Sequence, residues 1–210
     1  MKLTVQIQLL PDAEHAKTLR AMVERFNEAC NWIAAECFTR QEANQFNVRK
    51  FAYKEVRERF GLSSQIAQLA IKAVCDSYKR DKAKRLKFRK HAAIVYDQRT
   101  MSFKGIDRVS LLTLDGRVLI PFVMGKYQAE QFTHAKGQAD LILRHDGEWF
   151  LLVTVDVRAA APIPTTNFMG VDFGVVNIAT TEDGGKFSGE KIDATRRHYG
   201  ERRRSLGKAA

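Results

Sequence analysis

The sequence contains few residues of the kinds that cross-link or anchor a small protein. Only three of its 210 residues are cysteines (Cys30, Cys37 and Cys75), and no Cys-x-x-Cys pair is present. We therefore expect neither disulfides nor a zinc site, and interpret the cysteines as small core residues in a reducing compartment. No apolar run reaches the length of a membrane span, and the first ten residues alternate like a strand rather than forming a signal peptide. These absences predict a cytoplasmic protein.

Acidic residues are also scarce relative to basic ones. Lysine and arginine number 35 against 24 aspartates and glutamates, which gives a net charge of +11 and a pI near 9.7. A charge of this size indicates a polyanionic partner, usually nucleic acid, or an anionic membrane surface. Segments 79–90 (+7) and 196–204 (+4) account for all of it. Such focused charge favours phosphate binding by Lys79, Arg80, Lys82, Lys84, Arg85, Lys87, Arg89, Lys90, Arg196, Arg197, Arg202, Arg203 and Arg204.

The first 90 residues predict one strand followed by helices. Residues 3–9 alternate apolar and polar side chains, as in a strand with one buried face. Asp12 is a suitable N-cap for a long helix, and Gly61 is a suitable stop for a second helix over 47–60. A third helix begins at Ser63 or Ser64, and we expect it to continue into segment 79–90 as a positively charged stalk.

After residue 91 the hydrophobic period changes from that of a helix to that of a strand. Residues 94–103 are strand-like, and Asp115-Gly116 and Asp146-Gly147 are each flanked by alternating segments, as in hairpins. The first of these dipeptides predicts a type I′ turn. With residues 3–9 these segments make about six strands, so we predict an α+β fold. It would contain a small antiparallel Greek-key or OB-like barrel, over residues 1–10 and 91–158, interrupted by a helical insert over 11–90.

Residues 159–166, with two prolines, are the best candidate for a linker. Beyond it, the pattern predicts a buried strand carrying Asp172, a return strand at 176–180, a short strand at 186–188 and a helix from about Asp193. We treat 167–210 as a separate, incomplete domain. Its apolar faces would lack the partner strands that bury them, so we do not expect it to fold alone.

The chemistry of this last domain centres on Gly170-Val171-Asp172-Phe173-Gly174. A carboxylate on a rigid strand is a suitable ligand for the divalent metal ions that assist phosphodiester cleavage. The same strand-turn-strand pattern is also found at the phosphate site of actin-like ATPases, and Asp172 alone is compatible with an ordinary strand end. The two basic segments favour the nuclease interpretation.

Several stretches resemble the TnpB family, the transposon-encoded RNA-guided nucleases related to compact type V CRISPR effectors. Residues 5–11, residues 26–32 and the basic stretch up to Phe88 are similar to the N-terminal half of that family. Residues 170–180 resemble its first RuvC motif, which is the most specific part of the likeness, and residues 202–206 resemble the segment that follows it.

The resemblance implies a wedge-type barrel, a helical recognition insert and the beginning of a RuvC-like, RNase H-like domain. It also implies a guide RNA, a DNA target and Mg²⁺ as partners, in a bacterial, nucleoid-associated protein. Asp172 is the one catalytic metal ligand that carries over. The family's other carboxylates and its zinc-binding cysteine pairs would lie beyond residue 210, so we expect no cleavage by this chain alone. The alternatives are a nucleic-acid-binding module without catalysis and an actin-like ATPase fragment.

Other candidates lie on or beside the strands and helices. Arg99, Lys104 and Arg108 are candidate contacts for a heteroduplex backbone. Phe88 is suited either to base stacking or to anchoring in the core. We expect Trp32 to pack between helices and Trp149 to lie in the barrel core. We expect His91, His134, His145 and His198 to be surface residues.

The salt dependence of binding tests whether the basic segments contact phosphates. If about five phosphates are neutralised on single-stranded RNA, the logarithm of the binding constant should fall against the logarithm of salt concentration with a slope near −3.5. Fluorescence anisotropy with a labelled RNA at several salt concentrations measures this slope. A flat dependence would show that the basic segments do not bind the RNA.

Overall fold

The computed structural model describes residues 1–79, 84–132, 135–157 and 168–206, which form two compact units, Met1–Ala159 and Ala160–Ala210. The first unit begins with strand β1 (Lys2–Leu9) and three helices: α1 (Ala13–Arg40), α2 (Gln45–Phe60) and α3 (Ser64–Tyr78). It continues with β2 (Ile94–Tyr96), β3 (Met101–Lys104), β4 (Arg108–Thr113), β5 (Gly116–Val123), α4 (Lys126–Gln131), β6 (Ala135–Leu143) and β7 (Trp149–Asp156).

Local signals set the helix boundaries. The Asp12 carboxylate accepts a hydrogen bond from the His15 N–H at 2.8 Å, which caps α1 as expected. Gly61 ends α2 with a φ of 63°, a conformation in which a Cβ would be strained. The third helix, however, ends at Tyr78, so residues 84–90 are not a helical stalk. Residues 80–83 lie outside the described part of the chain.

The seven strands of the first unit form one antiparallel sheet in the order β2-β6-β7-β1-β5-β4-β3. Strand β1 lies at its centre, paired with β7 from Lys2↔Asp156 to Leu9↔Trp149 and with β5 near its end. The two edge strands, β2 and β3, are neighbours in sequence and are joined only by residues 97–100. Because so short a turn links opposite edges, the sheet must curl into a barrel-like shape. The expected α+β architecture with a small antiparallel barrel-like sheet is therefore confirmed.

The turns differ from expectation in two places. Residues 94–103 form two strands, because the Asp97 side chain accepts hydrogen bonds from the N–H groups of Arg99 and Thr100 and bends the chain. In the hairpin of β4 and β5, Thr113 pairs with Gly116, so the loop residues are Leu114 and Asp115. Neither has a positive φ, and the predicted type I′ turn is therefore wrong. The hairpin around Asp146-Gly147 is confirmed, with Leu143 opposite Trp149.

Helices and sheet of the first unit share one hydrophobic core. The inward faces of β1, β6 and β7 and the apolar stripes of α1 and α3 belong to a single buried cluster. Trp149 is buried in it, as expected, and Trp32 packs against Phe60 with ring centroids 6.3 Å apart. The cysteines are free and buried, and Cys30, Ile33 and Leu141 have no accessible surface. Among the described residues, no helix combines the length and apolarity needed to cross a membrane.

The second unit is small and poorly buried. It contains strands β8 (Val171–Asp172), β9 (Asn177–Thr181) and β10 (Lys186–Ser188), which form a three-stranded sheet, and helix α5 (Glu190–Leu206). The element order agrees with expectation, but the strand that carries Asp172 is not buried. Its neighbours Phe168, Phe173 and Val176 are each about 80% exposed. The linker expected at 159–166 lies outside the described residues.

Two asparagines of α1 hold the chain where it passes from the helices to the sheet. The Asn31 side chain donates to the Phe88 carbonyl at 2.9 Å and accepts from the Phe88 N–H at 2.8 Å. One turn earlier, Asn27 donates to the Ala92 carbonyl at 2.9 Å. These hydrogen bonds replace those that residues 84–92 would make within a helix, and they fix the segment against α1.

We predict that Asn31→Ala releases this segment without unfolding the protein. Losing both hydrogen bonds should cost about 1–3 kcal/mol, because two backbone groups at a half-buried site lose their partner. Hydrogen exchange should show loss of protection at Phe88, while the melting transition of the helices and sheet moves only slightly. Asn31→Asp keeps the acceptor but loses the donor, so its effect should be intermediate. Unchanged protection in Asn31→Ala would contradict the role given to this side chain.

Candidate nucleic-acid interface

Residues 84–90 form a positively charged ridge on the first unit, which we call the basic ridge. Its side chains alternate: Leu86 and Phe88 point toward the core and are half-buried, whereas the residues on either side of them are exposed. Phe88 is therefore a core anchor rather than a free stacking surface. The exposed residues are Lys84, Arg85, Lys87, Arg89 and Lys90.

Hydrogen bonds from two elements, α1 and α3, hold the ridge in this conformation. The Leu86 N–H donates to the Tyr78 hydroxyl at 3.5 Å, and that hydroxyl donates to the Ala34 carbonyl at 2.8 Å. Asn31 fixes Phe88 as described above. Because the backbone is fixed by its buried side, the basic side chains are presented outward. A phosphate chain can bind such a surface without first ordering the protein backbone.

Glu24 of α1 anchors the C-terminal end of the ridge. Its carboxylate lies 3.2 Å from Lys90 Nζ and 2.8 Å from His91 Nε2. The hydrogen bond from His91 lowers the pKa of Glu24 below its usual range, and the hydrogen bond and charge of Lys90 add to this effect. His91 thus lies at the surface, as expected, but with a partner. Neither Glu24 nor Asn31 was singled out from the sequence as part of this interface. The sequence indicated their shared position only through their spacing of seven residues, which places both side chains on the same face of α1.

The other predicted basic residues occupy several places. Lys79 is exposed at the end of α3 and is paired with Asp76 at 2.6 Å, while Arg80 and Lys82 lie outside the described residues. Arg99 is exposed in the turn between β2 and β3, where its guanidinium donates to Gln65 at 3.3 Å. Lys104 and Arg108 are directly opposite each other in the hairpin of β3 and β4. Like charges opposite one another are unfavourable, so this tip would be stabilised by an anion.

Helix α5 of the second unit carries the other basic group. All five of its predicted residues are exposed: Arg196, Arg197, Arg202, Arg203 and Arg204. Arg196 pairs with Asp193 at 3.7 Å. Arg196 and Arg203 are seven residues apart, so they lie on one face of the helix, and Arg197 and Arg204 lie on the adjoining face. His198 is exposed against Tyr199, and His145 is exposed in the loop of β6 and β7, while His134 is outside the described residues.

Asp172 is the candidate metal ligand of the second unit. It pairs with Thr180 across β8 and β9, and its side chain is exposed. The following turn is tight, because a Cβ on Gly174 would lie only 3.0 Å from the Asn177 carbonyl oxygen. Glu182 donates its N–H to the Gly170 carbonyl, and its carboxylate lies over Gly170. The geometry thus requires a small residue at 174 and positions Asp172 at a strand end.

The described residues do not complete a metal centre around Asp172. Nowhere in ranges 1–79, 84–132, 135–157 and 168–206 do three acidic, histidine or cysteine side chains form a group able to hold a metal ion. Two divalent metals need several carboxylate ligands at close range. The side chains present here therefore do not fit a two-metal nuclease site without further ligands.

Comparison with solved structures shows a likeness to a compact CRISPR effector. The cryo-EM structure of a CRISPR-Cas12f ternary complex aligns over 94% of this chain, with a TM-score of 0.46 and 11% sequence identity. The alignment covers 56% of the other chain, so this chain spans little more than half of its length. No family model matches the sequence, and no curated protein matches it. The likeness concerns the path of the chain and carries no information on catalytic residues.

We predict that the ridge loosens in acid because Glu24 becomes protonated. Its pKa is lowered in the folded state, so its stabilising contribution is present above the unfolded value near 4.3 and is lost as pH falls through the lower folded value. Protection of the Phe88 N–H, measured by hydrogen exchange at a series of pH values below 5, should decrease in parallel. Glu24→Gln should remove most of this pH dependence. Glu28→Gln, on the same helix but paired with Arg25, is the control and should retain it.

Proposed function

We propose that this chain is the RNA- and target-recognition portion of an RNA-guided DNA endonuclease of the TnpB type. In this proposal the basic ridge binds the guide RNA, and the cationic tip at Lys104 and Arg108 contacts the target heteroduplex. The single observation that carries the proposal is the ridge itself. Five exposed cations are carried by a backbone that hydrogen bonds fix on its buried side. This is the arrangement expected for binding a phosphate chain.

The domains take corresponding roles in this proposal. The sheet, over residues 1–10 and 91–158, is the wedge-type barrel, and residues 11–90 are the recognition insert. Residues 167–210 are the beginning of a RuvC-like domain, joined through 159–166. The exposure of Phe168, Phe173 and Val176 supports this assignment, because strands with bare apolar side chains need further strands to cover them.

Asp172 would be the first metal-binding carboxylate of that domain. It stands at a strand end beside a tight glycine turn, where its position is fixed by the pairing of β8 with β9. A Mg²⁺ ion there would polarise the phosphodiester, but only with additional carboxylates that the described residues do not supply. The same observation favours a second candidate function, in which the chain binds nucleic acid without cleaving it.

We predict that Lys84→Ala/Arg85→Ala/Lys87→Ala weakens RNA binding and reduces the salt slope by about 2, since each phosphate contact on a single strand contributes about 0.7. The matched control is Lys17→Ala/Lys54→Ala/Lys126→Ala, which removes three exposed charges from α1, α2 and α4 of the same unit. Its slope should stay close to that of the parent. Equal losses in both triple variants would contradict a role for the ridge.

A cleavage assay with the same protein tests whether this chain is catalytic by itself. The chain should bind guide-type RNA yet leave DNA intact in the presence of Mg²⁺, with or without Asp172→Ala. Mg²⁺-dependent cutting that Asp172→Ala abolishes would show that the carboxylates in this chain suffice for catalysis. Saturable ATP binding without RNA binding would instead favour the actin-like ATPase fragment and overturn the proposal.

A further inference from the structure

A cavity of about 420 Å³ lies in the first unit where the C-terminal end of the basic ridge meets α1 and the loop between β6 and β7. We call it the basic cleft. Three segments distant in sequence contribute its side chains, and six of its eight lining residues are basic or histidine. These six are Arg20, Arg89, Lys90, His91, Arg144 and His145.

Among the described residues, no carboxylate lines the cleft, although carboxylates adjoin it and pair with its cations. Glu24 holds Lys90 and His91 from the α1 side. On the opposite wall, Arg144 is held by Asp146 at 3.2 Å and Glu148 at 3.8 Å, and its guanidinium lies 5.1 Å from the centre of the Phe150 ring. These ion pairs thus fix the positions of Lys90, His91 and Arg144. The N–H groups that the pairs do not use remain available to a ligand.

Two of the arginines have no such partner. Within the part of the chain that the structure describes, neither Arg20 nor Arg89 makes an ion pair or a side-chain hydrogen bond, and both are exposed. Two unpaired guanidinium groups beside further cations repel one another, and an anion between them relieves that repulsion. The cleft is therefore electrostatically complementary to a small, multiply hydrogen-bonding anion.

Phosphate is the anion that suits this donor set. A guanidinium presents several N–H groups in a fixed fork that matches the oxygens of a phosphate, and three such groups line the cleft. Arg89 and Lys90 belong both to the cleft and to the basic ridge, so a strand that follows the ridge reaches the cleft without a break. A cavity of this volume admits a phosphate and its sugar, whereas a duplex would have to remain outside.

We propose that the basic cleft binds a backbone phosphate of a single-stranded nucleic acid that runs along the basic ridge. The inference rests on the nucleic-acid interface proposed above and adds to it a specific site, formed with Arg20, Arg144 and His145. These three residues lie outside both basic segments of the sequence. The cleft would fix the position of the strand, since its donors converge on one phosphate instead of contacting several in a row.

The test compares Arg20→Ala/Arg144→Ala with the charge-matched control Lys54→Ala/Lys126→Ala. We expect the cleft variant to lose about tenfold or more in affinity for single-stranded RNA, because charge-assisted hydrogen bonds are lost. Its salt slope should also be shallower by about 0.7, which corresponds to one phosphate. The control should change little. Arg20→Lys keeps the charge but not the fork, so it should preserve most of the slope while still losing affinity.

Single-stranded RNA, single-stranded DNA and duplex DNA of one sequence serve as the probes, and thermal melting verifies that each variant is folded. A loss of affinity for either single strand that is absent for the duplex supports the inference and identifies the strand type. If the parent binds RNA but the cleft and control variants behave alike, or if the loss appears only with the duplex, the cleft inference is wrong and the proposed function stands. If the parent shows no salt-dependent RNA binding, the proposed function itself fails.

Discussion

The hydrogen bonds between α1 and the segment that follows α3 determine how this protein presents its charge. Asn31 forms two hydrogen bonds with the backbone of Phe88, and Asn27 forms one with Ala92. The basic ridge, which ends between these points, carries five cations within seven residues, and without these bonds their mutual repulsion would favour an extended, mobile segment. Fixed against α1, the same residues become a ridge with its apolar side chains inward. The cleft depends on the same hydrogen bonds, because Arg89 and Lys90 reach it only when the backbone is held there.

The two units differ in how completely their own residues bury their apolar side chains. In Met1–Ala159, seven strands and the helices share a continuous core, and opposite edges of the sheet are linked by a four-residue turn. In Ala160–Ala210, three short strands carry apolar side chains that remain largely exposed. The first unit therefore has the burial required for independent stability, while the second has the pattern of a sheet that needs more strands. In the function proposed above, the first unit would bind nucleic acid and the second would form part of a larger domain.

Charge placement, rather than total charge, connects the fold with the proposed function. Three cationic surfaces belong to the first unit: the basic ridge, the tip at Lys104 and Arg108, and the basic cleft. In each of them, backbone in a fixed conformation carries several cations. Preorganisation of this kind lowers the entropic cost of binding a flexible strand. Asp172 is different, because it is exposed and, within the described residues, belongs to no group of acidic, histidine or cysteine side chains able to hold a metal ion.

Local patterns in the sequence were sufficient to predict the α+β architecture, the cap at Asp12, the stop at Gly61, both barrel hairpins and the order of elements around Asp172. These features depend on neighbouring residues, through hydrophobic period, capping and turn propensity. The bend at Asp97 was missed although its signal is local, since the Asp97 side chain binds the N–H groups two and three residues later. The end of α3 was not predictable from local patterns, because the residues that follow it are held by hydrogen bonds to distant parts of α1 and α3. The exposure of the Asp172 strand was not predictable either, because burial depends on which other elements cover a strand. The same holds for the interface. The sequence by itself determined that the charge is concentrated in two segments, whereas only the tertiary structure brought Arg20 and Arg144 to the ridge, since residues so far apart in the chain meet only when the core folds.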